Sequence, residues 1–182
     1  MKYFFILSIL FANSVLSEPL SGQKNVYLQN ESGGLLLIAE ISFQPVDDKI
    51  HYQLTIVDEV FSNQFLLMRP FQCLMGAAQV MCHVPYPYLK KGFVLKSDLR
   101  DLSYDLLFLH KKPSEYGINL WNGMFYKLEL LDDTVVGSVF EVDMNIIASP
   151  PDNAEEPFPA DEIFSADMTN YVYPKIDRKS VV

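Results

Sequence analysis

Two stretches of this chain alternate between apolar and polar side chains. In Lys49 to Val57 (KIHYQLTIV), Ile50, Tyr52, Leu54 and Ile56 fall on one face and His51, Gln53 and Thr55 on the other. A period of two, carried by β-branched and aromatic residues, marks a half-buried strand. Leu35 to Phe43 (LLLIAEISF) begins as an aliphatic run and alternates from Ile38 onward, and Pro45-Val46-Asp47-Asp48 supplies a turn between the two. The pair reads as a hairpin with a short loop. Met124 to Leu131 (MFYKLELL) and Val135 to Ile147 (VVGSVFEVDMNII) form a second hairpin across Asp132-Asp133. Gly137 early in its second arm is expected to mark a bulge. Both hairpins follow a glycine (Gly34, Gly123), carry an acid in the first arm (Glu40, Glu129) and turn on Asp-Asp, a hint of internal pseudo-symmetry.

Shorter strands fill the space between. Gln64 to Met68 is one, ended by Arg69-Pro70. Phe71 to Met75 and Gln79 to Val84 flank Gly76-Ala77-Ala78. With Ala77-Ala78 at the tip, Cys73 stands opposite Cys82, and such a cross-strand pair comes within disulfide reach. Pro85-Tyr86-Pro87-Tyr88 stops that ladder, because two prolines remove backbone donors. Gly92 to Lys96 is short and apolar. Asp98 to Leu109 carries two periods. Leu99, Leu102, Leu106 and Leu109 fit a helix capped by Asp98, whereas Tyr104, Leu106 and Phe108 fit a strand. The expectation is a helical turn over Asp98–Leu102 and a strand from Ser103, closed by Lys111-Lys112-Pro113-Ser114.

From Ser149 the composition changes. Pro150-Pro151, Glu155-Glu156-Pro157 and Phe158-Pro159 sustain neither ladder nor helix. Yet Phe158, Ile163, Phe164, Tyr171, Val172, Tyr173 and Ile176 give this acidic tail an apolar side, fit to pack on the body or to meet a partner. The fold expected is all-β: an antiparallel β-sandwich or small barrel with at most one or two short helices and an irregular C-terminal extension. Three segments follow: 1–17, 18–149 and 150–182.

The first segment has the order of parts of a cleavable signal peptide. Met1-Lys2 is a minimal positive start, Tyr3 to Ala12 is apolar, Asn13-Ser14 breaks the run, and Val15-Leu16-Ser17 precedes Glu18-Pro19. The apolar run is too short to span a bilayer, and no later segment is long and apolar enough. An extracytoplasmic setting, periplasmic or secreted, is therefore expected. There, two cysteines close in sequence most simply form one disulfide, worth ~2–3 kcal/mol on the chain-entropy model. With 14 basic against 23 acidic residues and a net charge of −9, the surface repels phosphate backbones and anionic lipid.

Catalytic signatures such as GxSxG, HExxH and a P-loop are absent from the sequence. His51, His83 and His110 are scattered, so no metal and no cofactor is expected. Asp98, Asp101 and Asp105 share one face of a helix, where a solvated face is favoured over a Ca²⁺ site. Glu141 and Asp143 lie two residues apart on one strand face; paired carboxylates can hydrolyse, but an outward polar face is the simpler account. The aromatic residues Tyr86, Tyr88, Tyr116, Trp121 and Tyr126 sit among prolines, glycines and asparagines, where rings with polar tips either bind or plug the ends of a core. Asn30-Glu31-Ser32 fits the N-glycosylation pattern of a eukaryotic secretory route. The functional expectation is an exported, non-enzymatic β-domain that binds a protein partner or a ligand through its aromatic loops. The alternatives are a lipocalin-like carrier of a small apolar ligand and a carboxylate-based hydrolase using Glu141 or Asp143.

Overall fold

Where the chain alternates most regularly, in Lys49–Ile56 and Thr134–Val139, every second side chain is the more buried one. The computed structural model describes residues 20–66, 70–131 and 134–180, with residues 178–180 described by backbone. The segment Met1–Ser17, where a signal peptide is expected, and the Asp132-Asp133 tip lie outside the described residues. In chain order the elements are β1 (Gly22–Gln29), β2 (Leu35–Val46), β3 (Lys49–Ile56), β4 (Ser62–Phe65), β5 (Pro70–Met75) and β6 (Val80–His83). Then come β7 (Phe93–Val94), α1 (Arg100–Asp105), β8 (Phe108–Lys111), β9 (Gly123–Leu131), β10 (Thr134–Val142), β11 (Ile163–Ser165) and β12 (Lys175–Ser180). All the strands belong to one sheet in the order β4-β5-β6-β8-β9-β10-β12-β1-β2-β3-β7, with β11 laid against β10. Every pairing is antiparallel, so the described residues form an all-β fold with one short helix.

The two long hairpins form as the alternation requires. β2 and β3 pair from Ala39↔Ile56 to Val46↔Lys49. Their turn places Asp47 at φ 56°, a left-handed position that aspartate tolerates better than most residues. β9 and β10 pair without interruption from Gly123↔Val142 to Leu131↔Thr134. The bulge expected at Gly137 is therefore not there. Gly137 instead pairs with Leu128 on one side and Ile176 on the other. A Cβ at this position would come within 2.6 Å of Leu128 Cδ2, so packing of the leucine accounts for the glycine. The irregularity lies in β1, between Val26 and Tyr27. In the β5–β6 hairpin Cys73 pairs with Cys82, and their sulfur atoms lie 2.09 Å apart with both residues fully buried.

Between Asp98 and Leu109 the helical period extends further than expected. Helix α1 runs to Asp105, and β8 starts only at Phe108. Leu99, Leu102 and Leu106 all reach the same core, while Tyr104 turns the other way and stacks near Phe125 and Phe158. A strand from Ser103 would have put Tyr104 and Leu106 on one face, where a single core cannot take both as they stand.

Two cores form, one on each face of the central strands. On β9, Met124, Tyr126 and Leu128 enter the first with Leu28, Ile38, Ile41 and Phe108. Phe125 enters the second with Cys73, Cys82, Tyr86, Tyr104 and Leu109. Residues 150–180 fold back on this body. Phe158 is buried in the second core, Tyr171 and Ile176 in the first, and β12 lies between β10 and β1.

Candidate functional site

The five aromatic residues singled out in the sequence fall into two sets. Tyr126 is 0 % exposed and donates its hydroxyl to the Tyr173 carbonyl at 2.6 Å, tying β9 to the tail. Tyr86 is 7 % exposed and packs against both Tyr88 and Tyr104. Half-buried Tyr88 donates to the Ile147 carbonyl at 3.2 Å. Tyr126 ties the first core to the tail, and Tyr86 and Tyr88 join segments of the second core. Trp121, 69 % exposed, and Tyr116, fully exposed, stand instead beside open hollows.

The larger hollow is a groove of about 800 Å³. Its floor is made at the end of the first core, where His110 of β8 and Glu141 of β10 follow the inward positions Phe108 and Val139. Tyr171 closes the floor from the tail: its hydroxyl donates to Glu141 Oε1 at 2.9 Å, and its ring meets the His110 ring edge-on at a centroid distance of 5.1 Å. The turn before Tyr171 is built locally, because Asp167 accepts from the Thr169 amide at 3.1 Å. Gln79 at the disulfide hairpin then holds the wall in place. Its amide donates to the Asn170 carbonyl at 3.3 Å and accepts from the Val172 amide at 3.2 Å.

Turn chemistry sets the rim. Asn119 accepts from the Trp121 amide through its side chain at 3.2 Å and from the Asn122 amide through its carbonyl at 3.1 Å, which fixes the backbone carrying the indole. Across the mouth, Asn30 Oδ1 accepts from Ser32 Oγ at 2.8 Å and from the Gly34 amide at 2.7 Å, with Gly33 at φ 83° completing the turn. A second hollow of about 180 Å³ shares Lys111, Glu115 and Asn122 with the first and adds Tyr116. Lys111 Nζ donates to the carbonyls of Glu115 and Gly117, which shapes this loop.

Burial holds the His110 imidazole below its ordinary value, against the opposing pull of Glu141 and Glu115. Burial, with the bond and charge of Glu141, raises the Tyr171 phenol. The floor therefore presents a neutral imidazole and a protonated phenol. His83, whose ring nitrogen lies 2.8 Å from the Asp105 carbonyl, is lowered by burial too. A histidine lowered in the folded state favours the neutral form there. Its contribution is complete above the unfolded value of 6.5 and is lost as pH falls from there through the folded value. Urea midpoints should accordingly drop between about pH 7.5 and 5.5, and a His83→Gln, His110→Gln double variant should flatten that slope. An unchanged slope would assign it to other groups.

The remaining candidates have structural partners. Asp98 pairs with Arg100 at 2.8 Å, and Asp101 and Asp105 both accept from the Tyr52 hydroxyl. Among the described residues no group of three or more His, Cys, Asp or Glu side chains is placed to hold a metal ion. β10 ends at Val142, so Glu141 and Asp143 do not continue one strand face. Glu141 serves the groove, while Asp143 accepts from the Asn145 amide at 2.9 Å and caps the turn Met144–Ile147. His110, expected from the sequence to be an ordinary histidine, and Tyr171, expected only as an apolar residue of the tail, meet at the floor, and Gln79 carries no signal in the sequence. His-Lys-Lys at a strand end resembles any solvated terminus, and nothing local links it to a tyrosine sixty positions on.

The sheet and the groove define an antiparallel all-β domain with a disulfide-pinned hairpin and an open, polar trench at one end of its first core. No family model matches this chain, and neither a curated protein nor a solved structure matches it.

Proposed function

We propose that this protein is an exported, non-enzymatic binding domain that takes its ligand or partner in the groove rimmed by Trp121. The observation that carries this reading is an indole 69 % exposed beside a hollow of about 800 Å³. Aromatic rings with a polar tip that stand beside a concavity are frequent anchors of recognition. The extracytoplasmic setting draws support from the Cys73–Cys82 disulfide and from the leader pattern of Met1–Ser17. No helix among the described residues is long and apolar enough to cross a membrane. Recovery of intact Met1 on cytosolic protein would refute that setting.

Trp121 is the single tryptophan of the chain, so its emission reports on the groove alone. Bound ligand should shift the emission to the blue and protect the indole from acrylamide. Asn122→Ala and Tyr171→Phe keep the reporter and each should weaken binding about tenfold, the worth of one buried hydrogen bond. Native binding that survives Trp121→Ala unchanged would place recognition elsewhere.

An apolar carrier needs a hollow interior, whereas the first core is filled by Leu28, Ile38, Ile41, Phe108 and Tyr126. Saturable uptake of a fluorescent fatty acid would revive it. A carboxylate hydrolase has less support, since Glu141 accepts from Tyr171 and Asp143 caps a turn.

A further inference from the structure

The charge of the groove narrows its ligand, and this step rests on the binding reading just given. Its carboxylates are Glu31, Glu115 and Glu141. Its cations among the described residues are Lys111, whose ammonium already donates to the carbonyls of Glu115 and Gly117, and Lys112. A phosphate or polyanion would meet more negative than positive charge there, so an anionic ligand is disfavoured. A peptide adding a strand needs an unpaired strand edge along its path. The walls here are instead the Asn30 turn, the Ala78-Gln79 tip, the Glu115–Asn122 loop and the turn ahead of Tyr171.

What the walls offer is amide and hydroxyl groups around exposed rings. Asn122 and Asn170 each carry a side-chain donor and acceptor in one plane, Asn30 adds its Nδ2 donor beside an Oδ1 already taken by Ser32 and Gly34, and the Thr169 hydroxyl, which donates to Asp167, is left as an acceptor. A pair of neighbouring sugar hydroxyls both gives and takes hydrogen bonds, which such an amide matches. The C–H face of a sugar ring is apolar and flat, which an indole or phenol face matches. Two exposed rings serve two adjoining hollows: Trp121 the larger, Tyr116 the smaller, with Asn122 common to both.

We propose that the trench binds a neutral oligosaccharide, one sugar against Trp121 and a further sugar against Tyr116. The chain of sugars runs through the hollow bordered by Glu115 and Asn122, and its hydroxyls replace water on the asparagine amides. A disaccharide covers only the Trp121 hollow; a longer glycan reaches both.

The test uses the full, disulfide-bonded chain. Cellohexaose, hexa-N-acetylchitohexaose and maltohexaose, and the disaccharide of each, are titrated against Trp121 emission and in parallel by calorimetry, with octalysine as a cationic probe. At least one hexasaccharide should shift the emission and bind more tightly than its disaccharide. Tyr116→Ala keeps the reporter and should weaken the hexasaccharide about tenfold while leaving the disaccharide nearly unchanged. Silence of all three sugars by both methods overturns the sugar assignment. If octalysine then shifts Trp121, the groove stands as a binding site for a cationic partner. Heat from a sugar with no change at Trp121 overturns both the sugar site and the groove reading, since binding would lie elsewhere.

Discussion

Removal of residues 175–180 leaves a chain that does not fold. The strand they form is inserted in the middle of the sheet, not laid on its rim. β12 pairs with β1 at six positions, from Lys24↔Ser180 to Gln29↔Lys175, and with β10 at three. In the strand order the β4-to-β10 half and the β1-to-β7 half are joined through β12. Deletion would turn β1 and much of β10 into facing but unpaired edges, and would empty the core position of Ile176. Each lost backbone hydrogen bond costs about 1 kcal/mol net, and more where the group stays buried. Together with the loss of Ile176 burial, about 2–3 kcal/mol, the sum reaches the whole stability of an ordinary domain, about 5–15 kcal/mol. Far-UV circular dichroism without the β minimum and collapsed amide dispersion are the expected readouts. Ile176→Ala, which empties the core but keeps the ladder, should fold and lose about 2–4 kcal/mol. A truncated chain with dispersed amide signals would show that β1 and β10 close on each other directly, and that the two halves need no intermediate strand.

β12 is also where sequence reasoning had least to work with. Lys175–Ser180 (KIDRKS) holds one apolar residue, so no alternation announces it, and its strand state comes from the two neighbours that pair with it. The contrast with the long hairpins is physical. In β3 and in the outer part of β9–β10 one face packs on the core while the other meets water, so composition follows the pleat and the pattern can be read. Cys73 and Cys82 were legible for a related reason: a short antiparallel hairpin admits one partner for each position once its tip is placed. Helix α1 was half legible, because Leu106 satisfies both periods and only the opposite destination of Tyr104 separates them. At the groove, the exposure of Trp121 follows from the Asn119–Gly123 turn around it, and the burial of Tyr126 from its place on the inward face of β9. Tyr86 lies between two prolines in a stretch that reads as loop, yet its ring is turned into the second core. The floor of the groove was not legible at all. His110, Glu141 and Tyr171 come from β8, β10 and the tail, and only the completed sheet brings them together.

Asp101→Ala should cost about 3–4 kcal/mol, more than any other single change to the helix α1 network. Asp101 is 9 % exposed and accepts three hydrogen bonds: from the Lys91 amide at 3.1 Å, the Gly92 amide at 2.8 Å and the Tyr52 hydroxyl at 3.1 Å. The two amides belong to the loop that delivers β7 to the edge of β3, where Val94 and Phe93 pair with Ile50 and His51. Alanine removes the acceptor and leaves the donors in place, which is the expensive way to break a hydrogen bond. Asp105 also accepts from Tyr52, at 2.8 Å, and pairs with Lys90, but these partners keep some access to water. Asp105→Ala should therefore cost less, about 1–2 kcal/mol. Burial first, and then the charges of Asp105 and Asp101, drive the Tyr52 phenol upward, so it stays protonated and its single proton is shared between the two carboxylates, the shorter contact being to Asp105. Tyr52→Phe should cost about 1 kcal/mol and leave Asp101 on its two amides. Urea denaturation of the three variants should order them Asp101→Ala, Asp105→Ala, Tyr52→Phe by loss of midpoint, with unchanged slopes. If Tyr52→Phe proves the most damaging, the shared hydroxyl rather than the loop amides holds β7 and α1 together, because its proton then offsets a repulsion between the two carboxylates that the amides alone cannot balance.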